Sequence, residues 1–511
     1  MKDWTSGYVA DIGYTFGYYA ELNPLRSNLA LLNHGIVTPK FESACELGFG
    51  QGLSTNIHAA ASNVEWFGTD FNPAQAGFAQ ELTAASGCNN QFLDEAFEEY
   101  CNRSDLPDFD FIGLHGIWSW ISDENRAVIA DFVRRKLKVG GVLYISYNTL
   151  PGWAAFAPLR HLMTEHAEII GAEGRGLVSR INDAIEFADQ LLQTNPIYHR
   201  ANPLVVDRIK KLKEQNADYL AHEYFNRDWH PMHFATMGRW LDKAKVNFAC
   251  SASYLDHVDT LNLTADQQKF LADIPDPMFR ESTRDFMVNQ QFRRDYWVKG
   301  ARKMNRLEQL ENLRKQTLVL TSYRPEIKLK VTGALGEAEM SERVYAPILD
   351  VMADYKERTI GELEQEIATQ KIEFGELMQA VMLLSGAGHL NSVQESSAVK
   401  HAASTTKNLN LALADKARGS SNIGYLASSK TGGGLPANRF EQLFLLAKSK
   451  GAGSSDEYAD FAFDILAAQG QKILKEGKVI ESDEEARAEM RAQAAGFAEK
   501  RLPILKGAGV L

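Results

Sequence analysis

The residues best suited to chemistry form one short glycine-rich stretch, Glu46-Leu47-Gly48-Phe49-Gly50-Gln51-Gly52. It directly follows an apolar, strand-like run and directly precedes a helix-like one. Glycines at such a point allow a tight turn with positive φ and a close approach of backbone to ligand. The free N–H groups at the start of the following helix favour an anionic group. Glu46 adds a negative charge beside the loop, so the stretch predicts a ligand that carries both signs of charge.

The spacing and charge of this loop separate two classes of ligand. A dinucleotide presents a pyrophosphate and is usually bound by a GxGxxG loop, whereas the spacing here is GxGxG and Glu46 would repel a pyrophosphate. S-adenosylmethionine carries an ammonium and a sulfonium beside its carboxylate. The pattern E-x-G-x-G-x-G resembles that of seven-strand S-adenosylmethionine-dependent methyltransferases, with Glu46, Gly48, Gly50 and Gly52 as cofactor contacts. The alternative is a plain glycine turn in a nucleotide-binding fold.

Acidic residues also end the next two strand-like runs. Asp70 ends the second run and is followed by Phe71. A carboxylate there can accept two hydrogen bonds from ribose hydroxyls, and Phe71 is placed to pack on an adenine ring; Asp70 can serve as a helix cap at the same time. After the third run, Asp94 and Glu95 compete to accept the adenine amino group, and the sequence does not choose between them.

The fourth strand-like run ends in Leu114-His115-Gly116-Ile117-Trp118-Ser119-Trp120. In a methyltransferase sheet this position faces the transferred methyl group, so His115 is a candidate for contacting the cofactor or the acceptor. Trp118 and Trp120 are candidates for the wall of the acceptor channel. The alternatives are a hydrogen-bonded loop histidine and two core tryptophans.

Aromatic residues are crowded into the amino terminus, ahead of the first strand. The faces of aromatic rings attract cations, and both a sulfonium and an incoming ammonium are cations. Of this group, Tyr14 is a candidate for cofactor contact and catalysis and Tyr18 for acceptor binding, while Tyr8, Phe16 and Tyr19 are expected to pack. Tyr147, at the end of the fifth strand-like run, is a further catalytic candidate.

These residues require a parallel sheet whose carboxyl ends lie together. Strand-like and helix-like runs alternate through the first third of the chain, which indicates a doubly wound α/β fold with its ligand crevice at that edge. Two later runs, 246–251 and 289–298, are expected to complete a seven-strand, Rossmann-like sheet. The predicted strands before them are 41–47, 65–69, 90–93, 109–114 and 142–147.

The chain is long enough for about three domains, and its pattern changes several times. We predict a catalytic domain over 1–300 with a helical insert or regulatory portion over about 151–290, followed by a connector over 301–340. Three helices in quick succession (344–355, 359–365 and 374–384) indicate a winged-helix-like domain over 341–400. The remainder, 401–511, is expected to be an α-rich region.

Composition narrows the class of protein further. The net charge is −11, which argues against a protein that coats nucleic acid or anionic membrane. No signal peptide, membrane span or paired cysteine motif is recognisable, so we expect a cytoplasmic protein without membrane insertion, disulfide or metal site. The third helix of the winged-helix-like region contains no Lys or Arg within 374–384, so we expect it to bind no nucleic acid.

Several further motifs resemble bacterial methyltransferases that carry a methyltransferase regulatory domain, and among them the rickettsial-type protein lysine methyltransferases. That resemblance implies a lysine acceptor in a protein, such as an outer-membrane or secreted protein, and it is consistent with a homodimer. It also makes Glu223 and Trp229 candidates for acceptor binding. The segments that carry it are 46–52, 70–73, 107–112, 114–120, 146–153, 222–231 and 285–300.

The resemblance implies direct methyl transfer, catalysed mainly by positioning donor and acceptor. The acceptor amine must be neutral although its ordinary pKa is ~10.4, and an aromatic channel would disfavour its charged form. Tyr14, Tyr18, His115 or Tyr147 would orient the amine or take its proton. Two alternatives remain: a small-metabolite acceptor, with the helical insert as a lid, and a winged-helix regulatory or binding protein.

Overall fold

The computed structural model of the chain describes residues 15–171, 174, 176–215, 220, 224–226, 228–475 and 477–511. Tyr14 and Glu223, two of the candidate site residues, lie outside this set. Among the described residues, no helix is long and apolar enough to cross a bilayer. The cytoplasmic location stays a prediction.

A seven-strand sheet in the order β3-β2-β1-β4-β5-β7-β6 organises the first 300 residues. The first five strands are mutually parallel, whereas β7 runs antiparallel to both β5 and β6. This confirms the predicted fold class and the assignment of the last two strands. The strands are β1 Ser43–Leu47, β2 Glu65–Thr69, β3 Gln91–Leu93, β4 Phe109–Leu114, β5 Leu137–Asn148, β6 Val246–Ser251 and β7 Phe292–Lys299.

The central strands are buried on both faces, because helices cover each side of the sheet. Every residue of β1 and of β4 is buried, as expected for parallel strands in a doubly wound fold. The helix Asp123–Lys136 is capped by Ser122, whose hydroxyl accepts a hydrogen bond from the N–H of Asn125. The helices between the first five strands are Leu53–Ala61, Pro73–Ser86, Phe97–Cys101 and Asp123–Lys136.

A helical insert with its own apolar core follows β5, as predicted. Its helices are Ala157–Ile169, Leu177–Gln193, Ile197–Ala201 and Leu204–Lys213. Trp153, Phe156, Met163 and Ile181 are among the side chains buried at its centre. The chain then returns to the sheet through further helices, which are Phe234–Asp242, Asp259–Asn262, Ala265–Ala272 and Pro277–Met287.

The segment after the sheet contains the three expected helices, at Glu342–Val351, Ile360–Glu366 and Phe374–Gly386. They accompany a three-strand antiparallel sheet in which Thr317–Leu320 lies between Arg358–Thr359 and Leu390–Ser392. One of these strands therefore comes from upstream of the helices. The winged-helix assignment and the domain boundaries stay predictions.

The segment from Gln394 to the carboxyl terminus is mostly helical and packs directly on the sheet's first helices. Leu53, Ile57 and Leu82 share a buried apolar cluster with residues of this carboxyl-terminal region. The carbonyls at the end of helix Leu53–Ala61 accept hydrogen bonds from it: Ala60 O from Thr405 and Thr406, at 2.7 and 3.0 Å, and Ala61 O from Gln394, at 2.7 Å. The region's helices are Ser396–Lys416, Arg439–Ser449, Ser455–Ala468, Asp483–Gly496 and Leu502–Gly507.

Candidate active site

The glycine-rich loop joins β1 to the helix Leu53–Ala61 and needs its glycines for two separate reasons. Gly48, Gly50 and Gly52 have φ of 76°, 58° and 66°, a region that L side chains rarely adopt. A Cβ on Gly48 would also lie 2.6 Å from Cδ1 of Ile117, and one on Gly52 would lie 2.5 Å from Cβ of Ala79. The loop is therefore held close to its neighbours, with its backbone at the carboxyl edge of the sheet.

Glu46 is a buried carboxylate at this edge, with 2% of its surface exposed. The hydroxyl of Thr55, from the first turn of the following helix, donates a hydrogen bond to Glu46 Oε2. Burial, together with a smaller effect of the neighbouring Asp70, raises the pKa of Glu46 to about 8, although the hydrogen bond from Thr55 opposes the rise. The side chain is therefore costly to ionise in the absence of a cation.

Asp70 lies at the end of β2 and shapes the loop directly. Its Oδ2 accepts a hydrogen bond from Gly50 N at 2.9 Å, and its Oδ1 accepts one from Asn72 N at 3.0 Å. Burial raises the pKa of Asp70 to about 6, although these two hydrogen bonds favour the ionised form. Among the described residues, no Lys, Arg or His forms an ion pair with Asp70 or Glu46. The pair is a buried carboxyl site that has no cationic partner in the part of the chain that the structure describes.

The residues predicted to surround an adenosine lie next to this pair but differ in availability. Phe71 is half-buried and Asp94 is exposed. Glu95 forms an ion pair with Arg103, with 2.5 Å between Oε1 and Nη1. Its Oε2 is buried and accepts no hydrogen bond from the described residues. The geometry leaves Asp94 as the more accessible of the two acids.

His115 stands at the end of β4 between two tyrosines. Its Nδ1 lies 2.7 Å from the hydroxyl of Tyr144, and its ring stacks on that of Tyr19 with 3.6 Å between centroids. Burial lowers the pKa of His115 to about 3, against the opposing effect of nearby Glu21. The imidazole is therefore neutral at physiological pH, able to orient a partner but too weak a base to hold a proton.

Two functional candidates emerge only from the structure: Glu21, which no sequence motif marked, and Tyr19, which was expected only to pack. Burial opposes ionisation of Glu21, yet Arg26 and Arg294 hold its pKa below the usual range. The distance from Glu21 Oε1 to Arg294 Nε is 3.7 Å. The aromatic cluster drew attention to this segment, but only the fold shows that Tyr19 covers His115.

Tyr18 lies in the same segment but faces the carboxyl-terminal region. Its hydroxyl accepts a hydrogen bond from Gly434 N at 2.7 Å, and its ring lies 4.9 Å from that of Tyr425. Asn23 Nδ2 likewise donates to Thr431 O at 3.1 Å. The structure therefore places Tyr18 where it positions the segment that contains Tyr19.

Four other candidates are not brought to the glycine-rich loop. Tyr147 lies on the opposite face of β5 from Tyr144, is fully buried, and donates a hydrogen bond to Asp295 Oδ2 at 2.9 Å. Trp118 is also fully buried and donates to the sulfur of Met232 at 3.4 Å. These contacts favour the packing alternative for both side chains.

Trp120 and Trp229 connect the sheet to the helical insert. Their ring centroids are 6.2 Å apart, and Trp229 packs edge-to-face on Trp153 at 5.1 Å. The backbone N–H of His230 donates to Ser119 O at 2.8 Å. Acceptor-binding roles for Trp120 and Trp229 stay predictions.

The arrangement combines three chemical capabilities at one edge of the sheet. Two buried carboxylates can receive a cation, loop and helix N–H groups can receive an anion, and a neutral imidazole lies at the next strand end. A zwitterionic ligand with a separate positive centre satisfies all three.

Comparison with known proteins agrees with this geometry. Residues 216–299 match the family model described as a predicted methyltransferase regulatory domain. Over 512 residues the chain is 40% identical to the uncharacterized Synechocystis protein sll1526, covering 99% of both proteins. It is 27% identical to the uncharacterized Rickettsia prowazekii protein RP789 over 348 residues, which cover 64% of this chain and 59% of that protein.

A solved structure shows the same fold over nearly the whole chain. It is PKMT2 from Rickettsia typhi in complex with AdoHcy, which is similar with a TM-score of 0.69 at 16% sequence identity. The similarity covers 96% of this chain and 98% of that protein. The shared fold therefore includes the regions on both sides of the regulatory domain.

Proposed function

We propose that the chain is a class I S-adenosylmethionine-dependent methyltransferase and that its methyl acceptor is a lysine side chain of a protein. The chain belongs to the same family as the Synechocystis protein sll1526, and its residues 216–299 match the methyltransferase regulatory domain. The observation that carries the cofactor assignment is the buried pair Glu46 and Asp70, whose pKa values are raised by burial. A cationic ligand would stabilise the ionised form of both.

Each part of the site has an assignable task in holding the cofactor. We assign the ammonium to Glu46, the carboxylate to the N–H groups of the glycine-rich loop, and the ribose hydroxyls to Asp70. Asp94 is the better-placed acceptor for an adenine amino group, because Glu95 is paired with Arg103. When bound, S-adenosylmethionine supplies a methyl carbon already activated by its sulfonium.

The chain's own residues then orient the acceptor and exclude water. A neutral lysine amine would donate a hydrogen bond to a ring nitrogen of His115, whose other nitrogen is engaged by Tyr144. The aromatic faces of Tyr19 and His115 would favour the neutral amine through desolvation. The lysine ammonium would lose one proton before the methyl group is transferred. The lowered pKa of His115 argues against His115 as the final acceptor of that proton. Tyr14 stays a proposed contact.

Support for a protein acceptor comes from the likeness to PKMT2 and from the fold it shares. Incubating the full chain with methyl-labelled S-adenosylmethionine and a bacterial envelope-protein fraction tests the proposal. We expect base-stable label in methyl-lysine after hydrolysis. Label confined to the low-mass fraction would overturn the lysine assignment in favour of a small metabolite while leaving the cofactor assignment intact.

The cofactor site has its own test, calorimetric titration with S-adenosylmethionine. Asp70→Ala should weaken binding at least about tenfold, because it removes both the ribose acceptor and the hydrogen bond to Gly50. Glu65→Ala is the matched control, since Glu65 is exposed at the other end of β2. Equal affinity of wild type and Asp70→Ala would remove Asp70 from the site.

We further propose that the chain forms a homodimer through its helical insert. Large apolar side chains are exposed there, including Ile169 at 75%, Ile170 at 68%, Ile197 at 75% and Leu204 at 73%. These side chains are our candidates for the interaction surface. Light scattering should give twice the chain mass for wild type and the monomer mass for Ile197→Asp; equal masses would contradict the proposal.

A further inference from the structure

A second cluster of ligand-type side chains lies away from the glycine-rich loop, at the β6 edge of the sheet. His34 follows the helix Pro24–Asn33, Cys250 is in β6, and His257 ends a short 3-10 helix after that strand. One ligand atom from each residue lies within 4.8 Å of the other two. His34 is distant in the sequence from Cys250 and His257, and the three residues form no recognised spacing motif, so the sequence alone did not predict a metal site.

Hydrogen bonds fix the orientation of both imidazoles. His257 Nε2 lies 2.7 Å from Ser251 O, and His34 Nδ1 lies 3.3 Å from Ala30 O. A carbonyl oxygen can only accept, so each of these nitrogens must donate. The lone pairs are then on His257 Nδ1 and His34 Nε2. Donation of the second ring N–H to a backbone carbonyl is the usual support for a histidine that binds a metal.

Metal binding at this cluster requires the Cys250 thiol to lose its proton. A coordinating thiol gives up its proton to solvent when the cation binds.

We propose that His34, Cys250 and His257 bind a divalent cation of the zinc class, with water as the fourth ligand. Two imidazoles and one thiolate are nitrogen and sulfur ligands of the kind zinc prefers. With bonds of ~2.1 Å to nitrogen and ~2.3 Å to sulfur, tetrahedral ligands are roughly 3.5 Å apart. His34, which is exposed at a helix end, can make the inward shift this requires.

Some features of the surroundings oppose the cation and others favour it. Arg26 and Arg284 place positive charge near His257. Asn33 Nδ2 donates to His257 Nδ1 at 3.3 Å and must release it, and Lys303 places a positive charge beside His34. Glu281 and Asp259 act on His34 in the opposite sense. The Cys250 thiolate adds a negative charge directly, so one proton is released for each cation bound.

The site would join the helix Pro24–Asn33 to the sheet edge. That helix begins just after Glu21 and the segment that places Tyr19 on His115. A bound cation would therefore hold the active-site segment from its far end, and this role does not depend on which acceptor is methylated.

The test uses cobalt(II) in place of zinc, because zinc has no useful absorption spectrum. The full chain is first treated with a chelator and then titrated with cobalt(II). We expect one equivalent to produce a thiolate-to-cobalt band in the near ultraviolet, and added zinc to remove it. Cys250→Ser should abolish the band. His34→Asn, at an exposed position where the fold should persist, should weaken cobalt binding by at least about 100-fold.

The matched control is Cys88→Ser, because Cys88 is the most accessible of the four free thiols and would be the source of adventitious binding. The band should survive this substitution. Absence of the band in folded wild type, its loss in Cys88→Ser, or its survival at full strength in His34→Asn would each overturn the proposal.

Discussion

Two buried acidic clusters lie on the same sheet, and they are neutralised in different ways. Around Arg293, three carboxylates surround one guanidinium: Asp285 at 2.6 Å, Glu281 at 2.9 Å and Asp295 at 3.0 Å. Beside the glycine-rich loop, Glu46 and Asp70 have no such partner among the described residues. The carboxylates of the first cluster are paired with a cation of the protein itself, whereas we expect those of the second to be paired only when a cationic ligand binds.

The two clusters differ in whether the protein supplies a cation, and this difference distinguishes carboxyl groups that stabilise the fold from those that bind a ligand. Burial alone does not distinguish them, since Asp285 and Asp295 are each 1% exposed and Glu46 is 2% exposed. Burial also raises the pKa of Asp285 to about 7, in spite of Arg293. The presence of a protein cation is the discriminating observation, and it assigns the Arg293 cluster to stability.

The largest effect should follow removal of the structural cation. Arg293→Met leaves Asp285 and Asp295 buried beside one another, and removing one partner of a buried pair costs about 3–5 kcal/mol. Denaturant unfolding measures this loss. Arg294→Met is the control. Arg294 is 40% exposed, and its ion pair with Glu21 is long, at 3.7 Å. We therefore expect its loss to lower the free energy of unfolding by less than about 1 kcal/mol. Equal losses would erase the distinction between the clusters.

A substitution at the other cluster should have opposite effects on stability and binding. Glu46→Gln replaces a buried carboxyl group that has no cationic partner among the described residues, so the ligand-free chain should unfold at equal or higher denaturant concentration. Affinity for S-adenosylmethionine should fall by about 1.5–3 kcal/mol, the value of a hydrogen bond to a charged group. Calorimetry and unfolding of the same preparation measure both. Lost stability together with unchanged affinity would make Glu46 structural.

Stability and cofactor affinity should also depend on pH in opposite directions. The pKa values of Glu46, about 8, and Asp70, about 6, are above their ordinary values, so the folded chain binds more protons than the unfolded one. The contribution to stability therefore falls as pH rises from the ordinary to the folded pKa, which means up to about pH 6 for Asp70 and up to about pH 8 for Glu46. Cofactor affinity should rise over the same range, by up to about tenfold per pH unit for each proton released. In Glu46→Gln the rise near pH 8 should disappear; an unchanged profile would contradict the assignment.

The smallest effects should come from two tyrosines of β5 that point to opposite faces. Tyr144→Phe removes the hydroxyl beside His115, and a net hydrogen bond of about 0.5–1.5 kcal/mol corresponds to at most about a tenfold loss in kcat. Tyr147→Phe removes a hydrogen bond to Asp295 and should lower stability by a similar free energy without changing kcat. Steady-state kinetics and unfolding of both variants test this, and loss of kcat in Tyr147→Phe would restore Tyr147 as a catalytic candidate.

Sequence reasoning located the strand ends correctly because the signals there are local. Glycines, an apolar run and a following acid identify where a parallel strand stops, and Glu46, Asp70 and His115 all lie at such points. Since carboxyl ends of parallel strands share one edge, their proximity follows from topology alone.

The same reasoning could not determine which way side chains face or what distant segments cover. Tyr144 and Tyr147 differ by an odd number of positions, so strand alternation places only one of them beside His115. The stacking of Tyr19 on His115 depends on how the amino-terminal segment crosses the sheet. Glu95 seemed equivalent to Asp94 because its pairing with Arg103 is invisible without the fold.

The capping of helix Leu53–Ala61 by Gln394, Thr405 and Thr406 has a practical consequence for handling the protein. Trimming the chain at residue 300 would strip those donors from the helix that follows the cofactor loop and would expose Leu53 and Ile57 to water. A truncated enzyme prepared in this way should melt early and precipitate, so crystallisation and assay alike call for the uncut polypeptide.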